Sequence, residues 1–419
     1  MVSHLARLLG AAHLSLAEEA VQDSMVRALS SWPYEGVPQN PEGWIFRVAH
    51  NAAIDAVRRQ RMAGSKTGAL TAELLRSAER SPSDPSVEKS LRDDELSLIF
   101  MCCHPAISPD SRVALSLKTA CGFSVREIAR AFLADDSAIA QRLVRAKKQI
   151  REQSLSVEMP RGKDVDERID SVLAVLYCMF NEGYSAHEGE DLVRFDLCQE
   201  ALRLGILIAS STLTRPKVHA LVALMSLQTA RMPTRIDDTG DLVLLEEQDS
   251  SRWDHQLMSL GFHHFAKSSV GNEVTRYHVE AAIAAAHAIQ PIDWRRVLDL
   301  YDQLLGLDPA SPVVRLNRAV AVARVNGAEE GLRAINPLFR DAKLKDYHLL
   351  LAVRGHLLLA LDQPDQAAIA FTRAIQCRCS EPERRFLQRK LQECSVFTLA
   401  ANVKQSPDRS GRGQAPTTK

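Results

Sequence analysis

Apolar residues recur at helical spacing along most of the chain, which predicts an all-α protein. In the first segment Ala17, Ala20, Val21, Ser24, Ala28 and Trp32 form a small-to-apolar stripe, and Glu18, Glu19, Gln22, Asp23 and Arg27 fall on the polar side. Pro33, Gly36, Pro38 and Pro41 then mark a loop. Pro41 is placed to open the next helix, where a missing N–H costs nothing. That helix sets Ile45, Val48, Ala49, Ala52 and Ala56 on one face and Arg47, Asn51, Asp55 and Arg58 on another. Residues 62–90 read as a linker rich in Gly, Ser, Thr and Arg, with turn chemistry at Ser81-Pro82-Ser83-Asp84-Pro85. Helical patterning covers 91–153. After a break at Met159-Pro160-Arg161-Gly162-Lys163 it resumes at 165 and runs into the 390s, interrupted by a polar stretch at 232–251.

The last third carries a weak internal repeat. Asn326-Gly327 with the helix after it resembles Asp362-Gln363-Pro364 with its own, each behind a helix rich in Ala and Leu. The offset is close to the roughly 34-residue period of tetratricopeptide repeats; an ordinary bundle of helical hairpins remains the alternative. The expected organisation is therefore a domain at 1–61, the linker, a domain at 91–153, a helical extension at 165–270, tetratricopeptide-like repeats at 271–395 and a disordered tail at 396–419.

Composition narrows the function. Basic and acidic residues number 52 each, so any contact with a polyanion must come from a local patch. The eight cysteines are scattered, mostly within apolar patterns, as buried reduced thiols would be. No stretch approaches the ~18 uncharged apolar residues of a membrane span, and no signal peptide opens the chain, so a cytoplasmic protein without membrane contact is expected.

The strongest local signal lies between Ser124 and Arg151. Ser124 and Glu127 have capping-box spacing, Val125, Ile128 and Ala129 supply a buried side, and Leu133-Ala134-Asp135 is a tight connection. In the following helix Ile139, Leu143, Ala146 and Ile150 stack toward a core, leaving Ser137, Ala138, Gln141, Arg142, Arg145 and Lys148 outside. This is helix-turn-helix layout, whose second helix enters the major groove. From Ser137 to Arg151 there are five basic residues and no acidic one, a local excess that favours phosphate contacts. Many such units place Gly in the turn; this one has Leu133 and Ala134. A second signal, Asn51-x-x-x-Asp55-x-x-Arg58-Arg59, puts hydrogen-bonding side chains and a guanidinium on one face beside a Pro/Gly loop. Such a face suits a protein that holds opened strands. A solvated helix end is the plain alternative.

Together these segments resemble a known family. Leu16-Ala17-Glu18-Glu19-Ala20-Val21-Gln22-Asp23, Asn40-Pro41-Glu42-Gly43-Trp44-Ile45 and Asn51-Ala52-Ala53-Ile54-Asp55-Ala56-Val57-Arg58-Arg59 resemble region two of extracytoplasmic-function sigma factors of the sigma-70 superfamily. Glu127-Ile128-Ala129-Arg130-Ala131-Phe132 and Ala140-Gln141-Arg142-Leu143-Val144-Arg145-Ala146-Lys147 resemble region four. Cys102-Cys103-His104-Pro105, the 176–184 stretch, Arg252-Trp253-Asp254 and Leu316-Asn317-Arg318-Ala319-Val320-Ala321 are similar to a subgroup with a long C-terminal extension ending in tetratricopeptide-like repeats. The family pattern carries a further turn or more of helix ahead of His4. The resemblance implies that Glu19, Gln22 and Asp23 dock on the clamp helices of core RNA polymerase. It implies that Asn51, Asp55, Arg58 and Arg59 engage the minus-ten element of promoter DNA. Ser137, Ala138, Gln141, Arg142, Arg145 and Lys148 would read the minus-thirty-five element. The tail's covalent linkage and its repeat surface, which suits protein or peptide binding, lead to the expectation that it regulates and takes a protein or peptide partner.

Other clusters carry less. Adjacent Cys102, Cys103 and His104 cannot easily converge on one tetrahedral ion, and Cys377-x-Cys379 lacks a partner pair, so no metal and no cofactor are expected. His263-His264 reads as packing and surface, and Asn181-Glu182-Gly183-Tyr184 as a helix-ending turn or the lining of a small pocket. No motif indicates an enzyme. The rival readings are a helix-turn-helix regulator that does not engage polymerase and a repeat-based interaction scaffold.

Overall fold

The computed structural model describes residues 1–62, 85–132, 134–184 and 194–405, with backbone alone for 58–62, 85–91, 130–131 and 396–405. The described residues are all-α, with a single isolated antiparallel bridge between Ile236 and Leu242. They form two compact units: the described residues up to 184 together with 195–222, and residue 194 with those from 223 onward.

The first unit opens with α1 (Val2–Leu9), a 3-10 turn (Ala11–His13), α2 (Leu14–Glu35) and α3 (Pro41–Met62). On α2 the buried residues are Leu14, Ala17, Ala20, Val21, Ser24 and Ala28, the expected stripe, with Trp32 half-buried beyond them. The helix runs through Pro33 rather than stopping there. Proline in the last turn sacrifices one backbone bond only, and Gly36 (φ 85°) then closes the helix by donating to the Trp32 carbonyl at 3.0 Å. Asn40 starts α3, its side-chain oxygen accepting from the Gly43 N–H at 2.8 Å. A Cβ at Gly43 would lie 2.8 Å from the Asn40 amide, so the cap and the glycine go together. The buried stripe of α3 is Phe46, Ala49, His50, Ala53, Ile54 and Val57; of the expected Ile45, Val48, Ala49, Ala52 and Ala56, only Ala49 is buried and the other four are half-buried, so the core face lies about one position away.

Residues 63–84 of the expected linker lie outside the described residues. Helix α4 (Pro85–Cys102) already begins at Pro85, followed by α5 (Pro109–Thr119), α6 (Val125–Ala131), α7 (Asp136–Glu152), α8 (Asp164–Tyr184) and α9 (Phe195–Ala209). Buried Asp94 on α4 joins it to α1: its carboxylate lies 2.7 Å from His4 Nδ1 and 2.7 Å from Arg7 Nε. Helices α8 and α9 are stitched to the same element. Arg168 donates to the Phe100 carbonyl at 2.6 Å, and Arg203 bridges Glu95 (2.5 Å) and Glu200 (2.8 Å). The start of the extension thus shares a unit with the two leading segments, and the division falls at 222/223, inside α10 (Pro216–Ala230).

The second unit contains α11 (His255–Ser268), α12 (Arg276–Ala288), α13 (Trp294–Leu307), α14 (Pro312–Asn326), α15 (Ala328–Ile335), α16 (His348–Ala360), α17 (Pro364–Gln376) and α18 (Glu381–Gln405). The pairs α14/α15 and α16/α17 are helical hairpins that turn on positive-φ residues, Gly327 (94°) and Asp362 (57°). Glycine permits close packing inside them: a Cβ on Gly355 would sit 2.7 Å from the Phe371 ring, and one on Gly331 2.6 Å from Ala323 Cβ. Helix α18 continues to Gln405, so 396–405 is helical where a disordered tail was expected; 406–419 lie outside the described residues.

Candidate nucleic-acid interface

The α6–α7 pair has helix-turn-helix connectivity, and α6 is fixed by caps at both ends. The Ser124 N–H donates to Glu127 Oε2 at 2.7 Å, and the Glu127 N–H donates back to Ser124 Oγ at 3.2 Å, a reciprocal capping box. The Ala134 N–H donates to the Ala129 carbonyl at 2.9 Å and closes α6 without glycine. Leu133 of the connection lies outside the described residues. On α7 the buried residues are Ile139, Leu143, Ala146 and Ile150. Ile139, Leu143 and Ile150 each contribute roughly 1.5–3 kcal/mol by leaving water, which sets the rotation of the helix. The opposite side presents Ser137, Gln141, Arg145 and Lys148 exposed, with Ala138 and Arg142 half-buried. Lys148 pairs with Glu152 at 3.5 Å, one turn along.

Lys147 departs from this face. Its Nζ lies 2.7 Å from Glu18 Oε2 and donates to Ser15 Oγ at 3.2 Å, while Glu18 Oε1 accepts from Thr119 Oγ1 at 2.9 Å. The basic run on α7 is thereby divided, with one cation holding α7 against α2. Spacing alone left Lys147 beside Lys148; only the fold separates them.

On α3, Asn51 and Asp55 are exposed on one face, while the side chains of Arg58 and Arg59 lie outside the described residues. Beneath them His50 is fully buried, its ring centroid 6.0 Å from that of Phe46, which lies 5.4 Å from His4. Burial, reinforced by the charge of His4, lowers the pKa of His50 to about 4, so it is neutral at physiological pH. On α2, Glu19, Gln22 and Asp23 are exposed beside Met25, Val26 and Leu29, which are 46%, 60% and 77% exposed. This apolar strip went unnoticed in the sequence. Its signal was there: three large apolar residues fall off the Ala17–Ala28 stripe.

The remaining motifs are structural. Cys102 and Cys103 are fully buried, and burial pushes both thiols up in pKa. Trp253 is buried and donates to Thr234 Oγ1 at 3.0 Å, with Arg231 stacked 5.6 Å from its ring. Asp254 caps α11, accepting from the Gln256 and Leu257 N–H groups at 2.9 Å. Asn181-Glu182-Gly183-Tyr184 forms the last turn of α8, and His264 is buried against His263. Among the described residues no cluster of His, Cys, Asp or Glu could hold a metal ion, and no helix is long and apolar enough to cross a membrane.

Residues 1–62 match Sigma-70 region 2, and residues 97–150 match Sigma-70 region 4, so both polar faces fall inside recognised regions. Residues 168–269 match a family of unknown function, DUF6596. An uncharacterized protein, R00370, of Rhizobium meliloti (strain 1021) is 38% identical over 387 residues, which cover 90% of this chain and 90% of that protein. No solved structure matches the chain significantly. Region 2 and region 4, held in one compact unit and followed by a helical extension, place this chain in the sigma-70 family of sigma factors, transcription factors that recognise promoters, and in one family with R00370.

Proposed function

We propose that the chain directs core RNA polymerase to particular promoters through two separated DNA contacts. Asn51, Asp55, Arg58, Arg59 and the loop ahead of Trp44 engage the minus-ten element and its opened strand. Ser137, Ala138, Gln141, Arg142, Arg145 and Lys148 read the minus-thirty-five element. Glu19, Gln22 and Asp23 dock on the polymerase clamp helices, and the exposed Met25–Val26–Leu29 strip beside them adds apolar area to that contact. The observation that carries this reading is the outward edge of α7, where Gln141, Arg145 and Lys148 stand exposed opposite a fully buried stripe. Arginine and glutamine there have the donors for base edges, and the cations supply salt-dependent attachment.

In this reading the Glu18–Lys147 pair holds regions two and four together in the free protein and is released when polymerase takes up α2. The extension is a tetratricopeptide-like regulator that takes a protein or peptide partner. The test is run-off transcription with purified core polymerase, beginning with the fragment upstream of the chain's own gene. The double substitution Arg142→Ala/Arg145→Ala is expected to lower specific transcripts by about tenfold or more, since each good base contact is worth ~1–3 kcal/mol, while binding to core polymerase persists. Undiminished transcripts from that variant would defeat the assignment. For the extension, α8 and α9 must be retained because Arg168 and Arg203 tie them to α4. Ending the chain after Ala230 therefore asks the regulatory question, and an unchanged transcript level answers it in the negative.

A further inference from the structure

Within the second unit, helices α12 to α18 and the 242–246 stretch line a cavity of about 470 Å³. That volume is in the range of small-molecule sites. The wall is mostly apolar, with Trp294, Leu349, Ala352, Val353 and Phe371 prominent. Leu242, Leu244, Leu245 and Glu246 of a strap at 236–247 form part of its wall. The Ile236–Leu242 bridge and the Asp237 carboxylate, which accepts from the Thr239 and Asp241 N–H groups at 2.9 Å, fold the strap into a turn. Leu242, Leu244 and Leu245 face the cavity. The strap is fastened by polar groups on either side of them: Asp241 pairs with Arg385 (3.1 Å) and Arg389 (2.7 Å), and Glu246 pairs with Arg324 (2.8 Å). These pairs are half-exposed, hence individually weak and releasable.

The charged side chains around the cavity are already matched by the protein. Arg324 answers Glu246, and Lys390 answers Glu393 at 3.0 Å. Glu383 accepts from the Ser380 N–H and hydroxyl at 2.9 and 2.8 Å and lies 3.2 Å from His348 Nε2. By contrast, His287 lines the cavity with its Nε2 shielded from solvent and without a hydrogen-bond partner. Burial and then the charge of Arg231 lower the pKa of His287 to about 4, so its imidazole is neutral and able to meet one donor or acceptor. An apolar chamber whose charged side chains are paired, with the neutral His287 imidazole left to be answered, disfavours an ion and suits a molecule that is mostly hydrocarbon.

We propose that this cavity binds an uncharged, largely apolar small molecule carrying a hydrogen-bonding group, with residues 236–247 as its lid. The site is independent of the promoter reading, so either can fail without the other.

The test uses the full chain and two dyes of similar skeleton, neutral N-phenyl-1-naphthylamine and anionic 1-anilinonaphthalene-8-sulfonate, followed by fluorescence titration. One saturable site is expected, with the neutral dye bound about tenfold or more tighter, a difference equal to ~1.4 kcal/mol. Ala352→Trp or Val320→Trp, which fill the chamber from two different helices, should each weaken the neutral dye by a similar factor in protein whose circular dichroism is unchanged. Asp241→Asn, which touches only the lid's fastening, should speed both association and release several-fold. The proposal is overturned by absence of saturable binding, by equal affinity for the two dyes, or by indifference to both filling variants. It is equally overturned if a synthetic peptide of residues 239–248 binds the Asp241→Asn protein while the dye does not, which would make the chamber a peptide groove.

Discussion

The Glu18–Lys147 contact gives the sharpest test of how the two sigma regions are held. Side-chain exposure is 15% for Glu18 and 23% for Lys147, and the separation is 2.7 Å. At that distance and an effective dielectric of about 20 the Coulomb attraction is ~6 kcal/mol, most of which is cancelled by taking two charges out of water. A net coupling of about 1–2 kcal/mol remains, above the ~0.2–1 kcal/mol typical of exposed pairs. Glu18→Gln keeps the shape and removes the charge, and Lys147→Met does the same on the other side. A double-mutant cycle isolates the pairwise term. Native-state hydrogen exchange of the α7 amides reads it, because detachment of α7 exposes them. Glu18→Gln should speed that exchange by about 5–30-fold, the factor that corresponds to 1–2 kcal/mol. The affinity of the isolated protein for a minus-thirty-five duplex should rise in step. A coupling energy near zero, with α7 exchange unchanged in Glu18→Gln, refutes the latch. Faster exchange without tighter DNA binding would show that the latch exists but does not govern recognition.

Further outcomes follow from individual contacts. Leu143→Ala removes a buried side chain from the face of α7 that fixes its rotation and should cost ~2–4 kcal/mol, read as a lower melting temperature of the first unit with loss of specific transcription. Asp254→Ala deletes the oxygen that accepts two N–H groups at the start of α11 and should cost ~1 kcal/mol without affecting promoter choice. For His50, the folded pKa of about 4 lies below the ordinary value, so the unfolded chain takes up a proton that the folded chain refuses. Stability should therefore be intact above pH ~6.5 and fall as pH drops toward 4, by up to about 3 kcal/mol. His50→Gln should flatten the unfolding profile in that window, and an unaltered slope would contradict the assignment.

Local sequence settled whatever depends on neighbours within one or two helical turns. The Ser124–Glu127 box, the Ile139–Leu143–Ala146–Ile150 stripe and the stripe on α2 could be read directly, because capping and periodicity are i to i+3 and i to i+4 relations. The exposed positions of α7 followed by subtraction. Choices between two equally plausible faces, or between partners far apart in the chain, were decided by tertiary structure. The core side of α3 runs through Phe46, Ala53 and Val57, together with buried His50; the expected face through Ile45, Val48, Ala52 and Ala56 was one position off, because alanines occupy both sides of the helix. Lys147 belongs to Glu18, 129 residues away, and Arg203 to Glu95, 108 residues away, pairings that no local rule supplies. The inclusion of α8 and α9 with the sigma regions, and the chamber beneath the 236–247 strap, likewise arise where separate helices converge. Periodicity along a chain specifies which elements form, while the free energy of burying one surface against another specifies which faces meet.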